Sequence, residues 1–227
     1  MRRVMFAAAV IGALLPVTAR AQDRDPDKNV ADGGVKVAGW EARLDKAGQK
    51  ESNLKFYTMG RGMHVTTGPS GIFWNPSHMG QMTGKGYTVR GSFTQTKAPT
   101  HPEAYGIFAG GSDLGGDDVN YLYFIVRGDG KFMVNHRIGT EVHKMVPWTE
   151  NAAVAKQDSA GKATNHLAII VGPEKVSFTV NGKEVTSLPS TEMTGPMKLK
   201  SLSGIGGIRV NHNLDVHIGE FEVVATK

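Results

Sequence analysis

The 227-residue chain contains no cysteine, so no disulfide can hold its fold together. A chain of this length can instead bury enough apolar surface to be stable without cross-links. The sequence also lacks any apolar run of the roughly 20 residues that a membrane-spanning helix needs. We therefore expect no membrane insertion of the mature chain, and a stability that comes from a hydrophobic core.

The sequence has no run of like charges, and its net charge at pH 7 is +5. Three of its arginines lie within the first 21 residues, which contain no acidic residue, so the remainder carries only +2. Proteins that bind nucleic acid usually present a basic stripe, and this sequence has none. The charge pattern therefore argues against a nucleic-acid partner.

The N-terminal segment has the pattern of a secretory signal peptide. Arg2 and Arg3 precede an uncharged apolar run over residues 4–15, and Ala19-Arg20-Ala21 fits the small-x-small motif of a cleavage site. The polar, Asp-rich residues that follow are typical of disorder. We expect a signal peptide over 1–21, a disordered leader over 22–34 and a single domain over 35–227. The localisation that this predicts is periplasmic or secreted.

Short β-branched and aromatic runs, separated by Gly, Pro, Asn and Asp, indicate strands throughout the domain. Residues 87–96 alternate well, residues 120–127 and 131–138 form a hairpin, and residues 207–218 are predicted as one continuous strand. About a dozen short strands are too many for one flat sheet. The sequence therefore predicts an all-β fold, a two-sheet antiparallel jelly-roll sandwich.

Several stretches resemble the concanavalin A-like lectin/glucanase superfamily, which includes laminin-G-like and 3-keto-disaccharide-hydrolase-like domains. They fall within residues 54–224: residues 71–76 with 86–89, residues 104–108 through 121–126, and residues 178–183 with 207–210. The resemblance implies a sheet face that can hold sugar, in some members with a calcium ion at its edge. The Glu-x-Asp-x-x-Glu strand of the glucanase members is missing here, which argues against that activity.

The polar and aromatic side chains of the predicted sheet faces, given below, favour an exported, non-catalytic, lectin-like module that binds carbohydrate or polysaccharide. A glycoside-active hydrolase or lyase of the 3-keto-disaccharide type is the first alternative, and a protein-interaction domain of the cell envelope is the second. The sequence contains no His-Glu-x-x-His zinc motif, no Gly-x-Ser-x-Gly nucleophile motif and no cysteine nucleophile. No catalytic residue is assigned for this reason.

The predicted hairpin offers one candidate sugar-binding face. Tyr121, Tyr123 and Arg127 alternate on its first strand, and Asn135 and Arg137 alternate on its second. Aromatic rings can stack on sugars, while amides and guanidinium groups can hydrogen-bond their hydroxyls. The alternative is that both tyrosines belong to the core.

A second candidate lies near the C-terminus. If residues 207–218 form one strand, Asn211, Asn213, Asp215 and His217 share a face and present four hydrogen-bonding groups in a row. Such a row suits sugar hydroxyls. The alternative is an ordinary solvated face of a sheet.

The loop over residues 110–120 is a candidate calcium site. Asp113, Asp117 and Asp118 bring three carboxylates into a flexible, glycine-rich segment, and calcium prefers such oxygen ligands. The alternative is a plain turn, because Gly and Asp are common turn residues.

Glu220 and Glu222 are the one carboxylate pair with the strand spacing of glycosidase acids, roughly 7 Å apart. Phe221 and Val223 alternate with them, which favours a solvent-facing row beside a core-facing row. Catalysis by this pair is therefore the less favoured interpretation.

Overall fold

The computed structural model describes residues 25–226, and over that range the chain consists of fifteen β-strands joined by loops and two short 3₁₀ turns. The strands are β1 Gly34–Val35, β2 Glu41–Leu44, β3 Leu54–Met59, β4 Gly62–Thr67, β5 Gly71–Gly80, β6 Tyr87–Gln95, β7 Ala104–Ser112, β8 Asn120–Arg127, β9 Lys131–Ile138, β10 Glu141–Glu150, β11 Ala163–Val171, β12 Lys175–Val180, β13 Lys183–Pro189, β14 Gly204–Val210 and β15 Asp215–Ala225. Within the described residues, no helix has the length and apolarity that crossing a membrane would take.

The strands form two sheets. Sheet A has eight strands in the order β1-β3-β4-β15-β6-β11-β12-β13, and sheet B has seven in the order β10-β9-β8-β7-β14-β5-β2. Neighbouring strands are antiparallel, apart from the short parallel pair of β1 and β3. The all-β prediction of a two-sheet antiparallel jelly roll is confirmed.

The main core lies between the two sheets. Strand alternation sends Val89 and Phe93 inward from β6, where they join Tyr105 and Phe124 from the opposite sheet. Each large apolar side chain that is fully buried contributes about 1.5–3 kcal/mol. The sandwich is thus held by apolar contact between its sheets, as the absence of cysteine requires.

Sheet B also buries much of its outer face. Trp74, Phe108, Tyr121 and Tyr123 form a second apolar cluster there, and Leu114 of the β7–β8 loop is part of it. The hairpin face that suggested a sugar platform is therefore largely covered, and its tyrosines pack as core residues.

One contact of the core requires a glycine. A Cβ atom placed on Gly80 would lie 2.1 Å from the ring of Tyr87. That ring cannot move aside easily, because its hydroxyl donates to the Leu202 carbonyl at 2.7 Å and accepts from the Gly110 N–H at 3.1 Å. The sequence therefore needs the smallest residue at this position.

Replacing Gly80 by alanine is expected to lower the free energy of unfolding by about 1–3 kcal/mol, the usual cost of overpacking a core. Urea unfolding followed by tryptophan fluorescence measures this. Gly115→Ala is the matched control, because nothing lies within 4 Å of a Cβ there. Equal stability of the two variants would contradict the packing described here.

The polar segment before β1 is held in place over the part that the structure describes. Asn213 accepts a hydrogen bond from the Lys28 N–H at 2.8 Å and donates to Asp25 and to the Pro26 carbonyl. These contacts join residues 25–28 to a turn far along the chain, and the disordered leader over 22–34 stays a prediction. The predicted signal peptide, residues 1–21, lies outside the described residues.

The predicted strand over residues 207–218 is interrupted. β14 ends at Val210, residues 211–214 form a turn, and β15 begins at Asp215. Asn213 adopts the left-handed conformation with φ of 55°, which asparagine tolerates better than most residues. The expected row of four polar side chains on one strand face is therefore wrong, and only Asp215 and His217 share a face.

Candidate functional site

Four strands of sheet B end or begin at the same end of the sandwich. Leu44, Gly71, Val210 and Tyr105 are register partners in a continuous row across β2, β5, β14 and β7. Because these strands are antiparallel, the loops that adjoin this row emerge on the same side of the sandwich. Polar residues from distant parts of the sequence meet there.

These loops enclose a cleft of about 540 Å³, which we call the end cleft. It is lined by Asp25, Pro26, Asp27, Asp45, Lys46, Gln49, Ser70, His101, Glu103 and His212. Four carboxylates and two imidazoles converge on one concavity, and such convergence is what distinguishes a ligand site from an ordinary depression.

Asp45 joins the end cleft to the sheet behind it. Both of its carboxylate oxygens accept from the Arg209 guanidinium at 2.5 Å, and Arg137 donates to it at 2.9 Å. Burial alone would raise the pKa of Asp45, but the charges of Arg209 and Arg137 outweigh burial and lower it. Asp45 is consequently ionised, and the two arginines hold its carboxylate in one orientation.

His212 lies between two carboxylates of the end cleft. Its Nε2 is 2.7 Å from Glu103 Oε1, and its Nδ1 is 3.4 Å from Asp27 Oδ1. Asn211 also donates to Glu103, and Gln49 donates to Asp27. The side chains of this wall therefore orient one another before any ligand arrives.

Solved structures share this architecture. The carbohydrate-binding module CBM66 from Bacillus subtilis superposes with a TM-score of 0.56 at 8% identity, over 87% of this chain and 100% of that one. A Bacillus subtilis protein of unknown function with a galectin-like fold gives 0.56 at 15% identity, over 82% and 89%. The chain has a concanavalin A-like sandwich fold. Alginate lyase A1-II' has this fold too, with a TM-score of 0.53 at 11% identity over 83% and 95%.

The concanavalin A-like resemblance expected from the sequence is thereby confirmed for the fold. No family model and no curated protein matches the sequence. The sandwich fold occurs in a carbohydrate-binding module and in an alginate lyase alike, so function has to be inferred from the residues of the site and not from the fold.

The hairpin residues proposed as a sugar platform do share one face, but that face is mostly closed. Tyr121 and Tyr123 are 1% and 6% exposed, and Asn135 donates to the Tyr123 hydroxyl at 2.9 Å. Arg137 is committed to Asp45. Arg127 is partly exposed and lies over the ring of Trp148, 4.3 Å from its centroid. These residues support the end cleft or stabilise the sheet rather than form an open platform.

The four C-terminal candidates separate into two groups. Asn211 and Asn213 lie in the turn beside the end cleft, where they hold Glu103 and the segment that begins at Asp25. Asp215 and His217 point from β15 to the outer face of sheet A, opposite residues of β4 and β6. The four residues that the sequence placed on one strand face therefore lie in two different parts of the molecule.

The aspartates of the β7–β8 loop do not gather into a metal site. The Asp113 carboxylate accepts from the Asp118 N–H at 2.9 Å, which stabilises the turn itself. Over residues 25–226, no group of three or more His, Cys, Asp or Glu side chains is arranged to hold a metal ion. A calcium role for Asp113, Asp117 and Asp118 stays a prediction.

Glu220 and Glu222 face outward from β15, as their alternation with Phe221 and Val223 indicates. Glu222 is paired with Arg90 at 2.6 Å, and both carboxylates line an open groove of about 370 Å³ on sheet A. The pairing with Arg90 and the open groove favour the interpretation of a solvent-facing row of side chains.

Sequence reasoning missed Asp27, Asp45 and Glu103. They belong to three separate loops, and no spacing in the sequence links these loops. The one local indication was the Asn-His-Asn run at residues 211–213, of which His212 lines the end cleft.

Proposed function

We propose that this chain is an exported, non-catalytic carbohydrate-binding protein that holds its ligand in the end cleft. The observation that carries the proposal is the convergence of Asp45, Glu103 and His212 on a cleft of about 540 Å³, with each side chain held by a second protein group. A cleft of that size falls in the range that small-molecule ligands occupy.

The chemistry of the end cleft suits a polyhydroxylated ligand. Ionised carboxylates accept hydrogen bonds only, and each of their oxygens can accept more than one. Sugar hydroxyls are the matching donors, and the hydroxyl of Ser70 and the amide of Gln49 add groups that donate or accept. The carbohydrate-binding module and the alginate lyase that share the fold lend further support.

The proposal of a binding protein rather than an enzyme rests on the hydrogen bonds and ion pairs that hold the two carboxylates in place. Glu103 is held by His212 and Asn211, and Asp45 by two arginines. Burial alone would raise the pKa of Asp45, but the charges of Arg209 and Arg137 lower it, which is the opposite of the raised pKa of a catalytic acid. Export is inferred from the signal-peptide pattern at residues 1–21.

The test is a screen of the chain from residue 22 onward against a broad array of polysaccharides and oligosaccharides. Selective binding is expected, and Glu103→Gln and His212→Gln are each expected to weaken it by about tenfold, the loss of one charge-assisted hydrogen bond. Glu184→Gln is the control, because Glu184 and Lys175 form an exposed ion pair between β13 and β12.

Three outcomes would count against parts of the proposal. A blank array would contradict carbohydrate binding. Binding that both cleft variants leave unchanged would place the ligand elsewhere. Shortened products or unsaturated sugar ends, measured by mass spectrometry of the bound glycan, would show an enzyme instead.

A further inference from the structure

The outer face of sheet A carries a histidine pair that the proposed function does not use. His64 on β4 and His217 on β15 are register partners on neighbouring antiparallel strands. Their ring centroids are 6.1 Å apart, and the Tyr57 ring lies 5.4 Å from that of His64. Alternation places both imidazoles on the face that points away from the core.

Asp215 fixes the orientation of the first imidazole. Its Oδ1 is 2.9 Å from His64 Nε2, and a carboxylate can only accept, so that nitrogen carries the proton. Thr96 donates to the same oxygen, while Thr66 and Lys97 bind Oδ2. With both oxygens in use, Asp215 orients His64 and is not itself available as a ligand.

The other ring nitrogens lack partners. His64 Nδ1 and His217 Nδ1 are both buried, and neither has a hydrogen-bond partner. His64 is only 6% exposed, so water does not readily solvate it. Leaving a buried polar atom unsatisfied is costly, and two such atoms on facing residues indicate a group that binds between them.

We propose that His64 and His217 bind one transition-metal ion of the zinc or copper class through their Nδ1 atoms. Imidazole nitrogen is a preferred ligand of these ions. A metal-binding histidine usually donates its other N–H to a carboxylate, and the pair of His64 and Asp215 has that arrangement. Asp215 is a positioning residue.

The proposal is compatible with the rest of the described chain. The described residues contain no group of three or more metal-binding side chains, and the proposed site has only two protein ligands. Ring centroids 6.1 Å apart are within reach of one ion, because zinc–nitrogen bonds are about 2.0–2.1 Å long. The site lies on sheet A and is independent of the end cleft in sheet B.

The test is calorimetric titration of the tag-free chain with zinc chloride in a buffer that does not chelate metal. One zinc ion per chain is expected. His217→Gln is expected to abolish that binding, and Asp215→Asn to weaken it by about 10–100-fold, the usual effect of removing such a partner. Nitrogen NMR of the histidine rings should show zinc shifting the Nδ1 signals of both residues.

His166→Gln is the matched control, since His166 is an exposed histidine on strand β11 of the same sheet. It should bind zinc as the unmodified chain does. The partly exposed His217 carries the test even if His64→Gln fails to fold. Zinc binding that His217→Gln leaves unchanged, or no zinc binding by the unmodified chain, would overturn the proposal.

Discussion

Replacing Asp45 by asparagine is expected to lower the free energy of unfolding by about 3–5 kcal/mol, the cost of removing one partner from a buried ion pair. Arg137 and Arg209 share this carboxylate, and both guanidinium groups are largely buried. Burial alone would lower the pKa of the Arg209 guanidinium. The negative charge of Asp45 outweighs burial and raises that pKa above its usual value. Without Asp45, two positive charges face each other in a poorly solvated place.

Urea unfolding of the variant and the unmodified chain measures this effect. Glu184→Gln is the control, since it breaks an exposed pair with Lys175 and should cost at most about 1 kcal/mol. The double variant Asp45→Asn, Arg209→Gln should cost less than the sum of the single variants, because the charge and its partner leave together. A cost below that of the control would mean that solvent screens the network.

Lowering the pH from 6.5 to 4 is expected to destabilise the fold by up to about 3 kcal/mol through His136 alone. Burial, with a smaller contribution from the charge of His143, lowers the pKa of His136 to about 4. The side chain is 3% exposed, its ring stacks on that of His143, and its Nε2 is 2.9 Å from Asn120 Oδ1. The folded state therefore favours the neutral ring.

The sign follows from the two pKa values. The unfolded chain binds a proton on His136 below pH 6.5, while the folded chain does so only near pH 4. The stability that the neutral His136 ring contributes is complete above pH 6.5, decreases as the pH falls and is lost below about pH 4. His136→Gln, which can still donate to Asn120, should remove most of this pH dependence.

Chemical denaturation at pH 7.5, 5.5 and 4 compares the two proteins. His166→Gln is the control for loss of an exposed histidine. If the unmodified chain and His136→Gln lose stability in parallel over this range, another group is responsible.

Local pattern predicted the strands whose neighbours in space are also neighbours in sequence. The hairpin over 120–127 and 131–138 appears as β8 and β9, because alternation and a Gly-Asp-Gly turn fix its register locally. β10 was missed, since two register shifts and Pro147 disturb its alternation. The break at residues 211–214 was missed because Asn213 is held by residues more than 180 positions away.

The site was predicted less well than the fold for a related reason. Asp45, Glu103 and His212 belong to three loops that become neighbours only through the strand order of sheet B. No spacing in the sequence encodes that order. The position of the tyrosines was left open between a binding face and the core, because alternation distinguishes the two faces of a strand and cannot show that both are buried.

The last two strands occupy the middle of the molecule. β15 lies between β4 and β6 in sheet A, and β14 lies between β7 and β5 in sheet B. During synthesis, therefore, each sheet remains two separate halves with open edges until residues 204–225 have left the ribosome. Pairing across such long separations is slow to form, and neither sheet can be complete before these residues are available. Late completion of both sheets suits the export proposed above, because a translocation pore admits a chain that is not yet folded.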